Sequence, residues 1–386
     1  MIEIKKRDPT PKSAPQTVAS GSCQSGGLLL AARPIARIHA RMPVDPARLR
    51  TLAAALFGAG VFLAAGWPLP LLLGPMLGCL LAALFGLALR DMGGFGAFMR
   101  SYLGVAIGST VTPALIAGLP AHGASLALVP AFVVVIGGLG YPFFRKVMGF
   151  DHATAFYSAM PGGLQDMLIF GEEAGGDVRA MSLVHATRVL VLVTAAPFLM
   201  TALYGVDLTR PPGLFWRDLP FAEVALMLVA GPVGWKLAER AGMFGASILG
   251  PLILTAGLSL SGFISHRPPA ELIWAAQFFI GLAVGAKYSG ITGRELRVDV
   301  GAGLAFAALL ALVSLGFIEV VTVVSGAPFI DILLSFLPGG QAEMAMIAIV
   351  AGADVGFVVA HHLTRIFFVI LVAPVIGRAT GRRGGR

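Results

Sequence analysis

Charge is scarce in this chain. Only 12% of its 386 residues are Asp, Glu, Lys or Arg, while 57% are hydrophobic. A soluble domain carries roughly 25% charge, so the chain lacks the polar surface to cover itself in water. That excludes a water-soluble globular protein. Cysteine is nearly absent as well. Cys23 and Cys79 are the only two, which excludes a disulfide framework and a cysteine-based metal site. The seven histidines show no zinc or copper spacing. No phosphate-binding loop, nucleophile elbow or helix-turn-helix pattern occurs. No catalytic residue, metal or cofactor is therefore expected.

Glycine (50) and proline (25) are plentiful, scattered through apolar runs as in membrane helices. The net charge of +8 sits at the two ends. Residues 1–50 contribute +6, and the residues after Ile376 contribute +4, so the remainder is slightly acidic. This is the pattern of two cytoplasmic termini and not of a nucleic-acid binder. Residues 1–50, rich in Pro, Ser, Gly and Lys/Arg, read as a disordered basic arm. Met42, followed by Pro43-Val44-Asp45, is a candidate start position.

A lipid span needs about 20 mostly apolar residues. Candidate segments lie near 51–66, 69–89, 97–119, 124–144, 153–171 and 180–203, and again near 219–236, 245–262, 272–290, 300–325, 330–350 and 356–377. The two sets match. Leu73-Gly74-Pro75 recurs as Leu249-Gly250-Pro251, 176 residues on. At a spacing of 177, Pro161-Gly162-Gly163 recurs as Pro338-Gly339-Gly340, Asp166 as Glu343, Asp177 as Asp354, His185 as His362 and Arg188 as Arg365. Apolar similarity alone does not hold Pro, Gly, acid, His and Arg in one register. The expected organisation is an arm (1–50), repeat 1 (51–205), a linker (206–218), repeat 2 (219–378) and a basic cytoplasmic tail (379–386).

Loop charge sets the orientation of each copy. The links near 67–70 and 119–124 carry no Lys or Arg, whereas their counterparts carry Lys236 and Arg240, and Lys287, Arg294 and Arg297. Arg145 and Lys146 reverse the pattern, because the matching stretch 325–331 has none. The basic side swaps between copies, which under the positive-inside rule means opposite orientation. Inverted copies need an odd number of crossings each. The expectation is an all-α polytopic protein of two inverted-topology repeats, about five plus five crossings, with one broken or re-entrant Pro-Gly-Gly segment per repeat. A parallel twelve-helix bundle is the alternative, and it leaves Arg294 and Arg297 outside.

The two Pro-Gly-Gly motifs are the leading site candidates. Proline removes a donor and glycine permits unusual backbone angles. Inside a membrane the freed backbone groups need protein, water or ligand partners. Matched helix breaks in inverted copies are the mark of a midplane binding site in transporters. A tight turn at the membrane surface is the other reading. Pro161, Gly162, Gly163, Pro338, Gly339 and Gly340, with Gln165 and Gln341, are candidate substrate contacts. Asp166 and Glu343 are candidate carriers of a coupling ion, or else solvated acids at a helix start. His185 and Arg188, repeated as His362 and Arg365, share a helix face, since the Asp-His-Arg positions fall at about 0°, 80° and 20°. They are candidates for binding an anionic substrate, for pairing with Asp166 and Glu343, or for a structural ion pair. Asp177 and Asp354 read as helix N-caps. Gly74-x3-Gly78, Gly104-x3-Gly108 and Gly281-x3-Gly285 read as helix-packing faces.

The string Met160-Pro161-Gly162-Gly163-Leu164-Gln165-Asp166-Met167, continuing to His185-x2-Arg188, resembles the membrane AbrB family, as does Leu337-Pro338-Gly339-Gly340 to His362-x2-Arg365. The resemblance covers about residues 50–380, and the doubled arrangement is a trait of that family. Its bacterial members carry the labels AbrB family regulator and ammonia monooxygenase. The resemblance implies kinship with five-plus-five inverted-repeat transporters. No redox metal or flavin motif supports the oxygenase label, and no folded soluble stretch supports direct DNA binding. The functional expectation is a secondary transporter or exporter of a small polar or anionic solute, coupled to H⁺ or Na⁺, in the bacterial inner membrane with both termini cytoplasmic. The alternative is a membrane regulator that influences gene expression through a signal or partner. The lipid bilayer and a small-molecule or ion substrate are the expected partners. Nucleic acid is not, and a homo-oligomer is compatible with the pattern.

Overall fold

The computed structural model describes residues 45–243 and 245–381. Met42, most of the basic arm and the end of the tail lie outside the described residues. Among those described, the chain is all helical, with no strand. In order the helices are α1 (Pro46–Ala65), α2 (Pro70–Leu84), α3 (Gly94–Gly108), α4 (Pro113–Gly118), α5 (Gly123–Pro142), α6 (His152–Ala159), α7 (Leu164–Glu173), α8 (Val178–Tyr204), α9 (Phe221–Arg240), α10 (Ala246–Leu260), α11 (Ala270–Ala286), α12 (Gly293–Glu295), α13 (Gly301–Ser325), α14 (Phe329–Phe336), α15 (Gln341–Ala351) and α16 (Val355–Gly381).

Local signals explain the boundaries. Asp45 caps α1 by accepting from the Ala47 N–H at 3.0 Å, Pro46 opens it, and Gly66 closes it in the left-handed region at φ 65°. Asp177 caps α8 and Asp354 caps α16, each accepting an N–H three residues on at 3.0 Å. Among the described residues, six helical stretches are long and apolar enough to cross a membrane: Pro46–Ala65, Leu115–Val147, Val178–Tyr204, Phe221–Arg240, Gly293–Ser325 and Val355–Gly377. Their outward side chains, among them Phe57, Phe221, Leu312, Val323 and Leu371, are large, apolar and exposed, which suits lipid and not water.

Four of the expected spans are shorter than the hydropathy suggested. Helices α2, α3 and α10 have 15 residues and α11 has 17. At 1.5 Å per residue, 15 residues reach about 22 Å, less than the ~30 Å of a hydrocarbon core. The segment expected at 97–119 stops at Gly108, and Thr110-Val111-Thr112 leads into Pro113, which disfavours helix in the residue before it.

These short helices cross at close range. A Cβ at Gly104 would collide with the Ile248 carbonyl of α10, and one at Gly108 would sit 2.8 Å from Thr255 Cβ. On the other pair, a Cβ at Gly281 would collide with the Leu72 carbonyl of α2, and one at Gly285 would sit 2.6 Å from Cys79 Cβ. The Gly-x3-Gly faces are therefore packing faces, with α3 on α10 and α11 on α2. Helices α1, α2, α3, α9, α10 and α11 form one packed group, and α5 to α8 with α13 to α16 form another.

Within the second group, the segment that begins with α6 returns to its own start. The Asp177 N–H, where α8 begins, donates to Thr154 Oγ1 in the first turn of α6 at 2.7 Å. The Asp354 N–H donates likewise to Asp331 Oδ1 in α14 at 3.0 Å. Each Pro-Gly-Gly motif is thus the tip of a helical hairpin, α6–α7 or α14–α15, with a hydrogen bond tying its base. The first base lies beside the N-terminal approach to α3. Arg179 donates to Lys287 O at 3.2 Å and Ser289 O at 3.3 Å, and Ser289 Oγ accepts from the Leu89 N–H at 2.8 Å. The second base lies past the C-terminus of α3, where Asp354 lines a pocket with Thr110 and Thr112.

Candidate functional site

A helix that stops inside a protein leaves its last carbonyls and the next helix's first N–H groups without partners. At the first tip, His185 and Arg188 of α8 supply the donors. His185 Nε2 meets Tyr157 O at 3.1 Å, and Arg188 reaches Met160 O at 3.4 Å and Gly162 O at 3.3 Å. At the second tip, His362 Nε2 meets Leu334 O at 2.9 Å and Arg365 reaches Gly339 O at 3.2 Å. A carbonyl only accepts, so each histidine carries its proton on Nε2. The two constellations make the same bonds at positions 177 residues apart.

Both tips line one cavity of about 240 Å³. Its wall holds Gly162, Gly163, Gln165, Asp166 and Arg188 from one side and Gly339, Gly340, Gln341, Glu343 and Arg365 from the other. Asp91, Gly245, Ser247 and Lys287 line it toward the Asp91 end of α3. A larger pocket of about 420 Å³ lies at the Thr110 end, around His122, Arg267 and Asp354. The smaller cavity is the better candidate, because it alone of the two is lined by fully buried cations with unused donors. Arg188 is 2% exposed and Arg365 3%. Arg188 Nε, Arg365 Nε and Nη1, and Gln341 Nε2 are buried with no hydrogen-bond partner among the described residues. Neither arginine lies within ion-pair distance of Asp166 or Glu343, so the pairing entertained from sequence does not form here. The Glu343 carboxylate folds back over Gly340, within the field of Arg100 and Arg188. Helices α7 and α15 point their N-termini, the positive ends of their dipoles, at the same space.

The candidate residues divide on inspection. The four glycines, Gln165, Gln341, Asp166, Glu343, Arg188 and Arg365 lie on the cavity wall. Pro161, Pro338, His185 and His362 do not: the prolines stand in the breaks between α6 and α7 and between α14 and α15, and the histidines hold the carbonyls at the ends of α6 and α14. Arg100 of α3 lines the cavity and its Nε is unpartnered, yet matching of the halves passed over it. Its partner in the 177-residue register is Gln277, not another arginine. A lone arginine inside an apolar segment is itself a functional signal and would have found it.

The comparisons with known proteins agree with the sequence resemblance. The family described as "Transition state regulatory protein AbrB" matches residues 71–381. The Bacillus subtilis (strain 168) protein named "Uncharacterized protein YhjN" is 25% identical over 291 residues, covering 70% of this chain and 75% of that protein. The Escherichia coli (strain K12) protein named "Putative regulator AbrB" is 25% identical over 325 residues, covering 82% of this chain and 91% of that protein. No solved structure matches. With the family match running through both Pro-Gly-Gly hairpins and their histidine and arginine partners, the chain belongs to the AbrB family.

Proposed function

We propose that the protein is a secondary transporter or exporter of a small polar or anionic solute, coupled to H⁺ or Na⁺, and that it acts by binding and moving its solute without catalysing a reaction on it. The observation that carries this is the convergence of two hairpin tips and two buried, partly unpartnered arginines on one cavity. Broken helices around a central site are how transporters expose backbone to a solute while keeping it away from lipid.

Two oppositely oriented repeats of five crossings, each with a re-entrant hairpin, are part of the same reading. What supports them is the recurrence of element starts: α2 and α10 begin 176 residues apart, and α6 and α14, α7 and α15, and α8 and α16 each begin 177 apart. The hairpin bases also lie toward opposite ends of α3. Lys287, Arg294 and Arg297 gather near the Asp91 end, which makes that end cytoplasmic under the positive-inside rule. The inner membrane is then the location, with both termini inside. The cavity reaches the Asp91 end. The route related to it by the repeat, through Leu69, Leu71 and Gln277, is a separate pocket of about 190 Å³ that touches neither tip. In this reading the molecule is open to one side only, and alternating access comes from one helix group moving against the other.

The test is flux through the full-length protein in liposomes, with and without H⁺ or Na⁺ gradients. Uptake of small anions should respond to a gradient, and Asp166→Asn with Glu343→Gln should uncouple it. If no solute moves in any gradient, the reading fails. The regulator in the family description and in the Escherichia coli relative's name favours a second reading, a membrane protein that influences gene expression through a signal or partner. Retention of a transcription factor in a pull-down, without flux, would select it.

A further inference from the structure

We infer that the central cavity takes a short-chain dianion, in its simplest form a dicarboxylate, one anionic group per hairpin tip, bound together with one cation. The inference deepens the transport reading and rests on it for the site's purpose.

Each half supplies the same anion-binding set. There is one arginine with spare N–H groups and one half-helix N-terminus, α7 with 10 residues and α15 with 11. The arginines are almost wholly buried, and each repeats the other's bond to a tip glycine carbonyl. Those bonds fix the guanidinium planes beside the cavity and leave Nε of each, and Nη1 of Arg365, without a hydrogen-bond partner. A monoanion would satisfy one half and leave a like charge buried opposite it without a partner. A ligand with two anionic groups satisfies both.

Charge sets the ion that must accompany a dianion, and size narrows the class. The wall carries the cations Arg100, Arg188, Arg365 and Lys287 against the acids Asp91, Asp166 and Glu343. With all of them ionised, one positive charge is in excess. A dianion would leave one negative charge in excess, so neutrality needs one accompanying cation. A proton on Asp166 or Glu343, or a sodium ion beside them, supplies it. The cavity of about 240 Å³ falls below the roughly 300–1,000 Å³ of pockets that enclose drug-sized ligands. The amides of Gln165 and Gln341 add neutral hydrogen-bonding groups to the wall. A short, polar, doubly charged solute fits this wall, and a long apolar acid does not.

The experiment uses full-length protein in nanodiscs, titrated calorimetrically with malonate, succinate, glutarate and adipate, and with monocarboxylates of the same chain length. At least one diacid should bind tenfold or more tighter than its matched monoacid. Arg188→Gln and Arg365→Gln should each remove that preference. Titration in buffers of different ionisation enthalpy should show uptake of about one proton, or else binding should require sodium. Equal affinity for diacids and monoacids, or no diacid binding by protein that melts cooperatively, overturns the inference. The wild-type chain-length series decides this even if an arginine variant fails to fold. Monoanion flux without diacid preference would sink this inference and leave the transport reading. Diacid binding without flux would do the reverse.

Discussion

Glycine-to-alanine substitutions of opposite sign test the packing that walls the cavity. Gly281 lies on α11 where that helix crosses α2, and its added Cβ would run into the backbone carbonyl of Leu72. A backbone atom cannot rotate away as a side chain can, so the two helices must separate. Overpacking of this kind costs about 1–3 kcal/mol, and the rigid partner argues for the upper half of that range. Gly257 on α10 and Gly138 on α5 have nothing within 4 Å of an added Cβ. There, alanine should stabilise by roughly 0.5–1 kcal/mol, because glycine is the poorer helix former. Reversible unfolding in mixed detergent reads the difference. The Gly281→Ala midpoint should fall, the Gly257→Ala and Gly138→Ala midpoints should rise, and Gly104→Ala should behave like Gly281→Ala, since it meets the Ile248 carbonyl in the same way. The cavity should feel the change as well. Ile280, Ala283 and Val284 line it from the helix whose Gly281 and Gly285 pack on α2. If Gly281→Ala is as stable as Gly257→Ala, the close crossing is absent and the wall described here is wrong.

Further outcomes follow from the hairpins and from the one-sided cavity. Replacing His185 or His362 by alanine removes the donor that meets Tyr157 O or Leu334 O and should cost about 1–3 kcal/mol each. Melting curves report it, and glutamine, which keeps a donor, should recover part of the loss. In a background without Cys23 and Cys79, cysteine at position 100 should react with a membrane-impermeant thiol reagent from the side where Arg90 and Lys287 lie. Cysteine at 277 should react from the opposite side, and only in a state other than this one. Reaction of both from one side would refute the inverted arrangement.

Particular residues show how much could be read in advance. Both helix breaks were visible, because Pro-Gly-Gly cannot continue a helix and its repetition removed chance. The caps at Asp177 and Asp354 were visible for the same local reason. The lengths of α2, α3, α10 and α11 were not. A hydropathy window averages over apolar residues beyond the helix end, such as Val111 and Leu115, whereas the helix obeys Pro113. The separate duties of histidine and arginine were not legible either. Three residues apart, they share a helix face, but which one meets a carbonyl and which one reaches a cavity depends on where the hairpin docks. Arg100 shows the cost of reading only what repeats: its counterpart in the register is Gln277.

In the proposed site the arginines would join structure to binding in one side chain. A broken helix needs donors for its last carbonyls, and Arg188 and Arg365 donate Nη2–H to Gly162 O and Gly339 O. That bond holds a charged plane in a site that would otherwise expel it, and leaves N–H groups of a cavity-lining side chain without a partner. Lysine cannot divide itself this way, because an ammonium lacks the rigid fork that spans carbonyl and ligand at once. Arg188→Lys and Arg365→Lys should therefore keep the site's charge and still lose anion affinity, by about tenfold or more, which corresponds to about one charge-assisted hydrogen bond of ~1.5–3 kcal/mol. Anion titration of each variant measures this. Full affinity in both lysine variants would mean that charge alone, and not the bond to the tip, positions the ligand.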